Sequence, residues 1–383
     1  MTGELLITNA VIASPGYDAE DASVLIRDGV IREIFIGAAA RPVCAHVYDA
    51  KGETLLPGFM DIHCHGRAGS DFSDGDYDGL VKMCRSKLEE GVTSWLPTTL
   101  TLPEETLAAA LRTAARYAAE GSPYAKIPGV HLEGPFINPA CLGAQNPEYV
   151  RLPDLEEVAR LNAIYPVRKI SFAVEVEGGI EFAGKVLSLG ITPSCVHTKA
   201  TYHQIAAAVK HGLNNLSHFC NQMTPLHHRD IGVVGAGFMH QEMFIEVICD
   251  KIHLCPEMID LIFKLKRHDR IQLISDAMRA SGMPDGNYTL GGLPVVVADG
   301  AARLASNGAL AGSTLNINTA LKNVREVTGL PLSEIVGCTS LNQASALGLS
   351  GIGRVAPGYA ADLVLADRDL NVLQTFVNGE AKL

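Results

Sequence analysis

The residues of this chain that can do chemistry are histidines and acids at particular spacings. His63 and His65 flank Cys64, and His131 and Glu133 flank Leu132. His197, His218 and the pair Ser275-Asp276 follow further on. Imidazole nitrogens and carboxylate oxygens drawn from several parts of a chain make a site for a borderline divalent ion such as zinc or iron. A lone His-x-His is weak evidence, because two such histidines commonly pack in a core or sit on a surface. Ligand-type residues that each close a different apolar run are much harder to obtain by chance.

The elements that must gather these residues are readable in the same stretches. The run 55–65 is apolar and is followed by a helix-like stretch, YDGLVKMCRSKLEEG. GVTSWLPT, KIPGVHLEG, KISFAVEVEG, ITPSCVH, LNNLSHF, MFIEVICDKIH and RIQLISDAM are seven more strand-like runs, mostly alternating with helical patterns; a loop is expected after LNNLSHF, the sixth of the eight. Alternation of this kind predicts a parallel sheet. Eight units over roughly 290 residues predict a closed (β/α)8 TIM-like barrel, whose site lies at the C-terminal ends of the strands. An open doubly wound sheet is the competing architecture, but no GxGxxG follows the first strand. Alternation along a strand puts His63 and His65 on one face, toward the barrel mouth, and turns Cys64 away. It also pairs His131 with Glu133. Only the outer of those two reaches an ion easily, so His131 is expected to pack beneath.

Residues 1–50 and the C-terminal stretch both read as short strands broken by turns. Neither end carries enough apolar surface for its own core. One small discontinuous β-sandwich domain from residues 1–54 and 346–383, beside a barrel at 55–345, is therefore expected. With 42 acidic against 31 basic side chains the net charge is -11, which disfavours nucleic acid and anionic membranes as partners. Nine cysteines, an odd number without a CxxC pair, argue against a disulfide framework and for a reducing compartment. The N-terminal stretch lacks a basic region followed by an apolar one, so no signal peptide is expected, and no run has the length of a membrane span.

PGFMDIHCHG resembles the first-strand signature of the amidohydrolase superfamily. GVHLEGPF, SHFCNQMTPLHHR, SDAM and LAGSTLNIN together resemble the N-acetylglucosamine-6-phosphate deacetylase family across essentially the whole chain. The resemblance implies a cytoplasmic enzyme that removes acetate from N-acetylglucosamine 6-phosphate by attack of metal-bound hydroxide. Glu133, His197 and His218 match the family's main metal ligands. His63 and His65 match positions that hold a second ion in some members, with Glu133 bridging, so one or two ions are implied. Zinc or iron is expected, and manganese or cobalt would also be accepted. Asp276 matches the general acid/base and is also counted among the expected metal ligands. Hydantoinase-like members bridge their metals with a carboxylated lysine at the end of strand 4; here Lys169 stands at the wrong end of that run.

For the substrate, the resemblance implies that Arg229 binds the phosphate, as a guanidinium fork can. Its loop is implied to reach the neighbouring site of a homodimer. Asn221 and Gln222 match phosphate-side positions, and His253 matches a sugar-contacting histidine. Leu310, Ala311 and Gly312 match a backbone segment along the sugar. Ala144 is conventional, but Gln145 stands where the family usually has a histidine that contacts the sugar. This departure brings N-acetylgalactosamine 6-phosphate forward as an alternative substrate. A catalytically silent scaffold is a remoter alternative, since such a chain should lose ligands that are all present here. His203, His211, His227 and His228 are expected to be structural, and Cys141 is expected in a loop over the site, where it could be oxidised.

Overall fold

The computed structural model describes every residue except 1, 2, 38 and 40. Eight parallel strands form the barrel: Phe59–Cys64, Val92–Thr99, Val130–Glu133, Val167–Phe172, Thr192–Cys195, Asn215–Leu216, Phe244–Val247 and Ile271–Leu273. Each pairs with the next in chain order. The eighth is tied back to the first by hydrogen bonds from Asp276 N to His63 O and from His65 N to Ala277 O, and by the bridge Cys64–Ala277. Side chains fill the interior and helices cover the outside, so strands such as Phe59–Cys64 are buried throughout. That two-sided burial is why they read as continuous apolar runs.

The helices Tyr77–Lys87, Glu104–Ala119, Leu155–Ile164, Gly179–Ser188, Tyr202–Lys210 and Pro256–Leu265 stand where the sequence predicts them. Their starts are chemically marked. Asp154 accepts from Glu156 N and Glu157 N, and Thr201 with Gln204 forms a reciprocal capping box. After strand 6, where a loop is expected, the chain instead forms the helix Gly232–Met239. It is buried nearly all round and contains Gly235 and Gly237, so it lacks the one-sided apolar stripe that reveals a helix.

Both ends of the chain share one sheet, with strands in the order Glu380–Ala381, Val372–Val377, Leu363–Ala366, Thr54–Pro57, Glu4–Ser14, Tyr17–Arg27, Val30–Ile36; His46–Asp49 also pairs with Glu4–Ser14. Alternation divides its two faces. Leu55, Leu363, Leu365 and Phe376 pack into the sheet's own cluster, whereas Leu56, Val364, Ala366 and Val377 join the barrel core. The sheet is thus fastened to the barrel by the same strands that complete it. A three-stranded meander, Gly286–Leu290, Leu293–Ala298 and Ala301–Leu304, follows barrel strand 8 and packs over Leu100 and Met278.

Candidate metal centre and substrate pocket

Strand alternation sets His63 and His65 side by side at the mouth, both buried. Glu133 ends strand 3, and His197 and His218 come just past strands 5 and 6. His197, His218 and Asp276 have φ of 43°, 30° and 48°. Non-glycine residues rarely occupy this left-handed region, and three of them at strand ends re-aim their side chains into one space.

In that space the distances are short. Glu133 Oε1 lies 3.2 Å from His63 Nε2, 3.5 Å from His197 Nε2 and 3.1 Å from His218 Nε2. Glu133 Oε2 lies 3.3 Å from His65 Nε2, and Asp276 Oδ1 lies 3.2 Å from the same nitrogen. Two ligand groups result, His63-His65-Glu133 and Glu133-His197-His218, joined by the one carboxylate.

Hydrogen bonds behind the rings decide what the front atoms can do. His63 Nδ1 faces Glu246 Oε2 at 2.9 Å, and His65 Nδ1 faces Thr98 O at 3.2 Å. His197 Nδ1 faces Cys141 O at 2.7 Å, and His218 Nδ1 faces Asn221 O at 3.1 Å. All four partners only accept, so each Nδ1 carries the proton and, in the neutral ring, each Nε2 presents a lone pair to the centre. His197 Nε2 and His218 Nε2 stand 3.3 Å apart. His63 Nε2 is fully buried and, although Glu133 Oε1 is near, makes no hydrogen bond of proper geometry among the described residues. Lone pairs that converge on each other and on a carboxylate require a cation between them. The donor set therefore fits a divalent metal.

The acids of the site also draw positive charge into it, whether a proton or an ion. Burial alone would depress His63, but Glu133, Asp276 and Glu246 outweigh it and hold the ring up at about 9. His65 is held well above its ordinary value against burial by Asp276 and Glu133. Burial would raise Glu133 and Asp276, yet the surrounding imidazoles keep both carboxyls below their usual range. His131 is held well below its ordinary value by burial and by Lys169. It lies in the layer below, bonded to Ser171 Oγ and Thr98 Oγ1, as expected.

A cavity of about 210 Å³ opens over this cluster. Of the predicted substrate residues, Ala144, Gln145, Asn221, Gln222, His253, Leu310 and Gly312 line it. Two do not. Ala311 is buried in the small core of the meander. Arg229 is exposed, with its guanidinium 2.7 Å from His228 Nε2, and stands off the cavity of its own chain. Gln145 also does more than line the wall. Its Oε1 accepts from Thr101 N at 2.8 Å and its Nε2 donates to Glu133 Oε2 at 2.6 Å.

The Cys141 thiol is buried and donates toward Thr198 O, while its carbonyl orients His197. Sequence reasoning missed Leu100 and Leu290, which give the cavity an apolar flank, and Gly143. A side chain at Gly143 would begin 3.1 Å from His197 Cε1, at φ +56°. Glu246 was missed as well, and Lys169 was set aside as a metal bridge without its partner being seen. Their only signal is a charge inside an apolar strand.

A model of the amidohydrolase family matches residues 54–382. The chain is 39% identical over 364 residues to an N-acetylgalactosamine-6-phosphate deacetylase of Escherichia coli O157:H7, covering 94% of each. It is 36% identical over 381 residues to an N-acetylglucosamine-6-phosphate deacetylase of Lysinibacillus sphaericus, covering 99% of this chain and 98% of that one. Among solved structures, N-acetylglucosamine-6-phosphate deacetylase from Thermotoga maritima matches with a TM-score of 0.89 at 35% identity over 99% of both chains. A mutant N-acetyl-D-glucosamine-6-phosphate deacetylase from Mycobacterium smegmatis, in complex with N-acetyl-D-glucosamine-6-phosphate, matches with a TM-score of 0.93 at 30% identity over 100% of both chains.

Proposed function

The chain belongs to the amidohydrolase family, and on that premise we propose that it hydrolyses the acetamide of N-acetylglucosamine 6-phosphate, giving acetate and glucosamine 6-phosphate. The observation that carries this reading is the convergence of four imidazole Nε2 atoms on Glu133, with Asp276 alongside, beneath a pocket lined by polar residues. His63 and His65 would hold one ion and His197 and His218 another, with Glu133 serving both. A divalent ion held there supplies positive charge that acidifies a water molecule and polarises the amide carbonyl. The donor set favours zinc or iron and accepts manganese or cobalt.

Asp276 is the proton carrier in this reading. Its carboxyl is kept below the usual carboxylate range, against burial, by positive charge in that space, so it can take a proton from the attacking water and hand it to the departing amine nitrogen. Asn221, Gln222 and His253 offer hydrogen bonds to the phosphosugar. Leu100 and Leu290 keep one flank apolar, where a methyl group is tolerated. The nine free cysteines suit a reducing cytoplasm. No helix among the described residues is long and apolar enough to cross a membrane. A homodimer completes the reading, with Arg229 of one copy supplying the phosphate's cation in the other.

A second reading, the galactosamine epimer, is favoured by the 39% identity to the E. coli enzyme. Acetate release should be measured with both epimeric 6-phosphates and with free N-acetylglucosamine. The first reading expects the largest kcat/KM on N-acetylglucosamine 6-phosphate. Preference for the other epimer would replace it with the second, and no release from any of the three would overturn both.

A further inference from the structure

Three of the four converging imidazoles are backed by main-chain carbonyls, while His63 is backed by a charged side chain, Glu246. Glu246 lies on strand 7, is fully buried, and uses both of its oxygens. Oε2 accepts from His63 Nδ1 at 2.9 Å and from His218 N at 3.3 Å. Oε1 accepts from Lys169 Nζ. Lys169 is fully buried on strand 4 and donates also to Ser217 Oγ at 2.9 Å, which in turn meets Ser171 Oγ and Ser194 Oγ, each at 2.8 Å. The lysine thus has no part in ligation. It fixes the direction of a carboxylate that is itself aimed at a ligand.

We propose that Glu246, held by Lys169, is a positioning residue that sets the tautomer of His63 and thereby makes the His63-His65-Glu133 group able to hold its own ion. The inference rests on the two-ion reading given above. A carboxylate can only accept, so His63 must place its proton on Nδ1 and leave Nε2 as a ligand. A negative partner also makes the imidazole a stronger donor than a carbonyl does, and loss of such a partner commonly costs about 10–100-fold in metal affinity.

The geometry predicts a specific response to substitution. In Glu246→Gln the charge of Lys169, which only donates, draws the amide oxygen to itself and outweighs the long contact from His218 N, so the amide NH₂ faces His63 Nδ1. The ring must then accept there, its proton moves to Nε2, and that nitrogen can no longer ligate. Adding Lys169→Met removes the constraint, lets the amide turn its oxygen toward His63, and restores the tautomer without the charge. A buried ion pair that merely packs the barrel would show no such rescue.

The test is metal content and affinity, measured with Zn²⁺ or Co²⁺ alone against a competing chelator. The wild-type chain should bind two ions. Glu246→Gln should keep one, and Glu246→Gln/Lys169→Met should regain the second at an affinity about 10–100-fold below wild type. Two ions at wild-type affinity in Glu246→Gln would overturn the proposal. Should that variant not fold, the charge-neutral double variant decides. Wild-type affinity for both ions there overturns the proposal, and a selectively weakened second ion supports it. A wild-type chain that never exceeds one ion overturns the two-ion reading instead.

Discussion

Gln145 shows that a residue placed at the pocket from sequence can carry a second task. Its sequence position suggests a sugar contact that bears on which epimer is bound. In the fold both ends of its amide are already engaged, by Thr101 N and by Glu133 Oε2. The amide steadies the carboxylate common to both ligand groups. Gln145→Ala should therefore lower kcat/KM by about 10–100-fold, the usual cost of losing a partner behind a metal ligand. It should do so equally on the two epimeric 6-phosphates. A change of more than about tenfold in their ratio would return Gln145 to the role its position first suggested. The histidines and acids of the centre were legible because alternation and strand ends fix where such side chains go. Glu246 and Lys169 were not, because their partnership joins strands 77 residues apart and leaves no local pattern.

The barrel strands were legible for the reason that makes them buried: side chains on one face and helices on the other leave them apolar on both. Helix Gly232–Met239 was not, since a helix wrapped on all sides shows no period. Its glycines answer to neighbours rather than to helix propensity. A Cβ at Gly237 would lie 2.4 Å from the ring of Phe219, the residue after His218. On an exposed helix, Gly→Ala stabilises by about 1 kcal/mol. Gly237→Ala should instead destabilise by about 1–3 kcal/mol, because overpacking forces Phe219 off its seat. Denaturant unfolding measures this directly, and a gain in stability would show that Phe219 can yield. Phe219 N also donates to Glu246 O, so the same change should disturb the segment carrying His218.

The whole molecule carries a net charge of -11, yet the proposed substrate is a dianion. Among the described residues no lysine or arginine lines the cavity, and its carboxylates, Glu133 and Asp276, face the same space. Metal held by the proposed ligands would offset those carboxylates, but a phosphate some distance from the amide needs a cation of its own. Arg229 stands exposed on its loop, away from its own cavity. The proposed two-fold dimer would resolve this, since each loop could then serve the other copy's site. Arg229→Ala should raise KM for the 6-phosphate far more than for free N-acetylglucosamine, with metal content unchanged. That result alone does not say which copy the arginine serves. Co-expression of Arg229→Ala with Asp276→Asn does. In a mixed dimer, the site that keeps Asp276 receives Arg229 from the Asp276→Asn copy, so at 6-phosphate concentrations well below the raised KM, activity above that of either parent should reappear. If the arginine acts within its own chain, every site in the mixture lacks one of the two groups, and no recovery is seen.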